Sequence, residues 1–294
     1  MGSWGTALYS GDFAADLRRT VAVVARLPFD AERLVDLIAD AEPNAATSPS
    51  DEDHTVFWLV VADQLARRGV QSARARDTAL RIIDSGRDLD AMERLGMSER
   101  ERAKRARSLA ELRARLISPP NHPKRDLLKK PQPYLFEAGD VVVYPTSSGK
   151  CINPYFREKT RIPGGWMHDG WAAAVIVERG RAFDFLAWYR PLVAASIQRE
   201  KPRLDGIIAR QGWRLDRPGT VTRLHVQRME IERLGSLSVD SEKLHTRFPG
   251  LPTGRSEAVH DISIANRLHV PNPSVAAMRR RPEPTVDLLA ELLV

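Results

Sequence analysis

The chain has 294 residues, a net charge of +7, 43% apolar residues and 28% charged residues. That balance excludes whole-chain disorder, and no apolar run is longer than that at 171–177, which is too short for a membrane-spanning helix. A single cysteine, Cys151, excludes an intrachain disulfide and a cysteine-built zinc or iron–sulfur site. The first twenty residues lack the basic start and apolar stretch of a secretory signal, so a cytoplasmic protein of bacterial type is expected.

Residues 10–118 read as a helical bundle. Ser10 or Asp12 is placed to cap a helix with Leu17, Val21 and Val24 on one side. Asp30 caps the next, whose Leu34, Leu37 and Ile38 recur at helical spacing. The stretch 42–50 reads as a loop, and Ser50 with Asp53 resembles a capping box opening an apolar helix through Phe57, Trp58, Val61 and Leu65. Ser72 starts a further helix that ends at Gly86, a short one follows at 88–95, and Ser98 opens a basic helix that Pro119 and Pro120 stop. Residues 119–133 hold five prolines and four basic residues and read as a linker or strap.

Beyond it the period changes to two. Strands are expected at 139–146, at 171–178 and at 182–189, the last two joined by an Arg179-Gly180-Arg181 turn. Residues 221–230 and 258–265 alternate as further strands, with long loops at 147–170 and 240–257. A mobile linker at 279–284 and an amphipathic helix at 285–293 follow. The expected fold is α+β: a helical bundle (1–118), the basic linker (119–133), a small antiparallel β-barrel-like domain with long loops (134–278), and the linker and helix (279–294).

The opening WGTALYSGDFAADLR, the VFWLVVADQLARRG helix and the later FEAGDVVVYPTSSGK resemble a bacterial family of uncharacterised proteins. Its members open with W-G-T-x-[LI]-[FY] and continue with a helical bundle, a basic linker and a strand led by G-D-V. The matching residues are Trp4, Gly5, Thr6, Leu8, Tyr9, Asp12, Phe57, Trp58, Ala62, Gly139 and Asp140, within roughly residues 1–190. The resemblance implies that architecture and brings no activity with it.

Charge is uneven. Residues 1–97 carry net −5, residues 98–130 net +7 and residues 131–294 net +5. On the basic helix Arg100, Lys104, Arg107 and Arg115 fall on one face, and Lys124, Arg125, Lys129 and Lys130 continue the charge along the linker. Such a strip suits a phosphate backbone or an acidic protein partner; its bland counterpart is a solvated face. The loop 151–171 interleaves aromatic residues, Trp166 among them, with Arg157, Lys159 and Arg161, a mixture suited to stacking and phosphate contact. The same loop holds a weaker hydrolase-type set, Cys151, His168 and Asp169, in which adjacent His168 and Asp169 are awkwardly placed to orient each other. SSGK at 147–150 lacks the first glycine and the Ser/Thr of a phosphate-binding loop and reads as a hairpin turn. Asp51, Glu52 and Asp53 point different ways on one helical turn, which is poor metal geometry, and no motif implies a cofactor. Trp4 and Tyr9 are expected to pin the N-terminus under the bundle. The reading is a non-enzymatic binding protein for nucleic acid or another polyanion, with a hydrolase or a protein–protein adaptor as alternatives.

Overall fold

The computed structural model describes residues 5–118, 125–208, 211–270 and 285–293. The chain divides into two compact units, 1–130 and 131–294, so the division falls inside the proline-rich strap.

Among the described residues of the first unit seven helices form: α1 (Asp12–Val24), α2 (Ala31–Ala41), α3 (Pro43–Thr47), α4 (His54–Arg67), α5 (Ala73–Asp84), α6 (Arg87–Arg94) and α7 (Glu99–Ile117). Helix α4 is the centre, because its sequence is apolar on every side and every residue from His54 to Leu65 is buried. Helices α1, α3, α5, α6 and α7 all pack against it. Burial of Phe57, Leu59, Val60, Val61 and Leu65 contributes about 1.5–3 kcal/mol for each large side chain. The amphipathic neighbours bury single stripes and start at side-chain caps: Asp30 accepts from the Arg33 N–H at 2.8 Å, and Ser72 from that of Ala75 at 3.0 Å. The region 42–50 is not a plain loop. Pro43 starts the short α3, whose Ala45 and Ala46 carbonyls accept from His54 Nδ1 (2.8 Å) and Trp58 Nε1 (3.2 Å). The Ser50 capping box does not form; α4 begins at His54, and Asp51 takes the Asp53 N–H instead. Helix α1 likewise starts from Gly11 without a side-chain cap.

The second unit is built on an antiparallel sheet of β1 (Asp140–Ser147), β2 (Lys150–Cys151), β3 (Gly170–Ala182), β4 (Leu186–Ala194), β5 (Gln211–Leu215), β6 (Glu232–Ser236) and β7 (Thr285–Leu288). The order is β2-β1-β3-β4-β5-β7, with β6 also on β1 beside β2. The unit is α+β, but the sheet is open and does not close into the expected barrel. Its two faces explain why. Val142, Tyr144, Ala174 and Ile176 face one core, while Val141, Val143, Ala173, Val175 and Val177 face another. Strands buried on both faces read as continuous apolar runs, and each face is covered by other chain segments. Phe136, Met229, Ile264 and Leu268 cover the first. Ile207, Leu244, Leu289 and Leu292 cover the second.

Four expectations in this unit are corrected. Strand β3 runs straight through Arg179-Gly180-Arg181; the turn lies at 183–184, where Phe183 and Asp184 both adopt positive φ. Gly180 is opposite Trp188, and a Cβ there would lie 2.4 Å from the indole ring, so the glycine makes room for the tryptophan. The segment 221–230 contains helix α9 (Arg223–Arg228), capped by Thr222, in place of a strand. Helices α10 (Ser241–Arg247) and α11 (Arg255–Val259) occupy 240–259, and the residues to 265 hold a 3-10 turn (Ile264–Asn266), so no strand forms there. The expected terminal helix is β7 followed by a 3-10 turn (Leu289–Leu292). A further short helix, α8 (Leu204–Ile208), precedes β5. No described helix is long and apolar enough to cross a membrane.

A candidate polyanion-binding face on the basic helix

Helix α7 opens with a full capping box. Ser98 Oγ accepts from the Glu101 N–H, and the Glu101 carboxylate accepts from Ser98 N–H at 3.0 Å. The two bonds from Ser98 hold the Glu101 carboxyl below its ordinary range, with Lys104 adding to the effect. One stripe, Arg105, Leu109, Leu112 and Leu116, is buried against the bundle.

The seven basic side chains of α7 then divide into two groups. Four are drawn to carboxylates of other helices: Arg102 to Glu93 (2.8 Å), Arg105 to Asp88 (2.9 Å), Arg113 to Asp84 (2.7 Å) and Arg115 to Asp63 (2.9 Å). The Arg105–Asp88 pair is bidentate and its side chains are only 3% and 0% exposed. Arg100, Lys104 and Arg107 are exposed and form no ion pair within 4 Å among the described residues. At i, i+4 and i+7 they rise by about 6 and then about 4.5 Å along one face. Arg115 therefore leaves the expected strip, because Asp63, a buried carboxylate, holds it. Glu111 is exposed on the same outer side of the helix and offsets part of the charge.

The strap behaves differently from a free basic run. Arg125 donates to the carbonyls of Ala25 (2.9 Å), Phe29 (2.8 Å) and Leu27, closing the turn after α1, and burial lowers its pKa. Leu128 N–H adds a bond to the Arg26 carbonyl. Lys129 and Lys130 are exposed, and Lys124 lies outside the described residues.

In the loop 151–171 the cations are largely spent. Lys159 pairs with Glu230 at 2.7 Å and sits 5.9 Å from the half-buried Trp166 ring, and Arg161 pairs with Glu158 at 3.3 Å. Arg157 is exposed. Cys151, His168 and Asp169 each have separate partners. The Cys151 Sγ donates to the Ala265 carbonyl at 3.3 Å, and burial pushes the thiol up to about 12. His168 meets Trp171 edge-on at 5.6 Å. Asp169 accepts from Thr146 Oγ1 (2.7 Å) and Gly149 N–H (3.3 Å), which ties it to the β1–β2 hairpin. The turn of that hairpin is the SSGK segment, with positive φ at Ser148 and Gly149.

Beside α4, burial and the neighbouring Glu52, Asp51 and Glu42 push the Asp53 carboxyl up to about 6. Among the described residues, no three His, Cys, Asp or Glu side chains are grouped to hold a metal ion. Trp4 lies outside the described residues; Tyr9 is half-buried and its hydroxyl binds Asp63 and Gln64. The spacing of cations on α7 was readable in the sequence, but the sorting of those cations by Asp63, Asp84, Asp88 and Glu93 was not. One signal was available: Asp63 interrupts the apolar run of α4, and a carboxylate there requires a cationic partner. No family model, curated protein or solved structure matches the chain.

Proposed function

We propose that the protein is a non-enzymatic binding protein whose helical unit holds a polyanion, a nucleic-acid backbone in the first instance, through Arg100, Lys104 and Arg107. One observation carries the reading: of the seven cations on α7, the three that form no ion pair within 4 Å among the described residues share one face. Structural arginines neutralise themselves against the fold, whereas these three add charge to the surface at no gain in packing. Of the net +7 of residues 98–130, four charges are matched by Glu93, Asp88, Asp84 and Asp63, and the excess of about +3 that remains supports the reading. The face carries no aromatic or amide side chain, so it contacts phosphates and reads no bases.

The test is fluorescence anisotropy of labelled single- and double-stranded oligonucleotides across a salt series, with wild type and the R100Q/K104Q/R107Q variant. Three phosphate contacts give a log–log salt slope of roughly −2 to −3. The variant folds as wild type and loses most of its affinity for every sequence alike. Wild type that does not bind near 50 mM salt, or a variant that binds equally well, refutes the reading. An acidic protein partner would then be the better account of the same face.

A further inference from the structure

A pocket of about 140 Å³ opens between the N-terminal loop, α4 and α7, lined by Tyr9, Asp63, Arg67, Ser108, Glu111 and Arg115 among others. Its floor is Asp63, whose side chain is 1% exposed. That carboxylate accepts from Arg67 Nε at 2.7 Å, Arg115 Nη2 at 2.9 Å and the Tyr9 hydroxyl. Each guanidinium has five N–H donors, and Asp63 engages one nitrogen of each. The carboxylate thus fixes the two forks in place, Arg67 also meeting the Tyr9 hydroxyl, and the half-exposed outer edges of both forks remain for another acceptor.

Positive charge is in excess around this point. Arg18 lies 5.3 Å from the Tyr9 ring centroid, and Arg68 holds the Gln64 side chain one residue from Asp63. Burial and repulsion from Arg18 and Arg67 lower the pKa of Arg68. The opposing acid besides Asp63 is Glu111, exposed at the rim. Two convergent arginines beside a recess of this size fit a tetrahedral oxyanion, which takes the guanidinium fork through two oxygens.

We infer that this pocket is a site for one phosphate-sized anion, held by Arg67 and Arg115 and positioned by Asp63. The recess admits a phosphoryl group and leaves the remainder of an ester outside, so free phosphate and the terminal phosphate of a monoester share its chemistry. The site is independent of the proposed polyanion face, since neither Arg67 nor Arg115 belongs to that trio.

The experiment is thermal unfolding of the full chain in 0–20 mM sodium phosphate, with ionic strength held constant by sodium chloride, and a parallel titration with phenyl phosphate. Phosphate raises the Tm of wild type above the chloride control. R67Q and R115Q weaken the apparent affinity at least tenfold, R115K weakens it less, and E111Q tightens it several-fold. R100Q/K104Q/R107Q leaves it unchanged. Tighter binding of phenyl phosphate assigns the site to monoesters, and equal or weaker binding assigns it to the free ion. No stabilisation beyond chloride, or stabilisation that R115K and E111Q leave untouched, overturns the inference. Both variants keep a cation beside Asp63, so the result stands even where R67Q or R115Q fails to fold.

Discussion

The Arg105–Asp88 pair gives the sharpest test of how α7 divides its charges. Both side chains are essentially out of water, and Asp88 also accepts from Thr55 Oγ1 at 3.2 Å while Arg105 donates to the Ala7 carbonyl at 3.1 Å. Asp88→Asn leaves a guanidinium buried without its counter-charge, and Arg105→Met leaves a carboxylate buried with only a hydroxyl. Each change costs about 3–5 kcal/mol. The double variant has no buried charge to compensate, so its cost is about 1–2 kcal/mol, well below the sum of the singles. For a helical unit of this size, each single variant lowers Tm by roughly 10–15 °C. Circular dichroism at 222 nm follows the transition, because the helical unit dominates the signal there. Either single variant costing under about 1 kcal/mol, or a double variant costing the full sum, refutes the claim that this arginine belongs to the fold. The R100Q/K104Q/R107Q variant is the control and stays within about 0.5 kcal/mol of wild type.

Two further outcomes follow from the titrating groups. Folding moves the Asp53 carboxyl from 3.8 to about 6, so the folded state takes up a proton between those values and stability falls as pH rises through them. The full shift is equivalent to about 3 kcal/mol, and solvent screening at this half-exposed site reduces it to about 1 kcal/mol. Asp53→Asn therefore raises Tm by a few degrees at pH 7.5 and by nothing at pH 3, as thermal unfolding in the two buffers shows; an equal gain at both refutes the electrostatic cause. Cys151 has its thiol pushed up to about 12 and is 8% exposed, so it resists Ellman's reagent at pH 8 until the sheet unit unfolds. Labelling of the native chain at the rate of a free thiol contradicts that burial.

Most of the helical unit was legible from its apolar stripes, and α2, α5 and α7 declare themselves a second time by a cap, whereas the short α3 was read as a loop. Leu34, Leu37 and Ile38 give the period of α2, and Asp30 marks its start. In the sheet unit β1 and β3 were legible as apolar runs, since both faces of the sheet are covered, whereas the strand expected at 182–189 runs instead over Leu186–Ala194 because the turn falls at 183–184. The misreadings share a cause: a short element shows too few residues for its period to register. Val226 and Met229 are three apart on and beside α9, yet His225 and Gln227 between the apolar positions imitate strand alternation. Gly180 read as a turn because its reason is Trp188 across the ladder, a partner that sequence order does not reveal. The candidate face has the same limit. The spacing of Arg100, Lys104, Arg107 and Arg115 was visible, whereas the capture of Arg115 depends on Asp63, which belongs to another helix.

The pairing of β1 with both β3 and β6 has a kinetic consequence. Val142 meets Ala174 on one side and Arg233 on the other, and Trp213 meets Val286. Closing such distant partners requires large loops to be ordered before any pairing energy returns, whereas the helical unit assembles largely from near neighbours. Refolding after dilution from denaturant should proceed in two phases, with helix signal recovered first and the burial of Trp213 and Tyr189 later. Throughout that interval the apolar strands β1 and β3 lack their covers, so loss of soluble protein should grow with concentration during the slow phase alone.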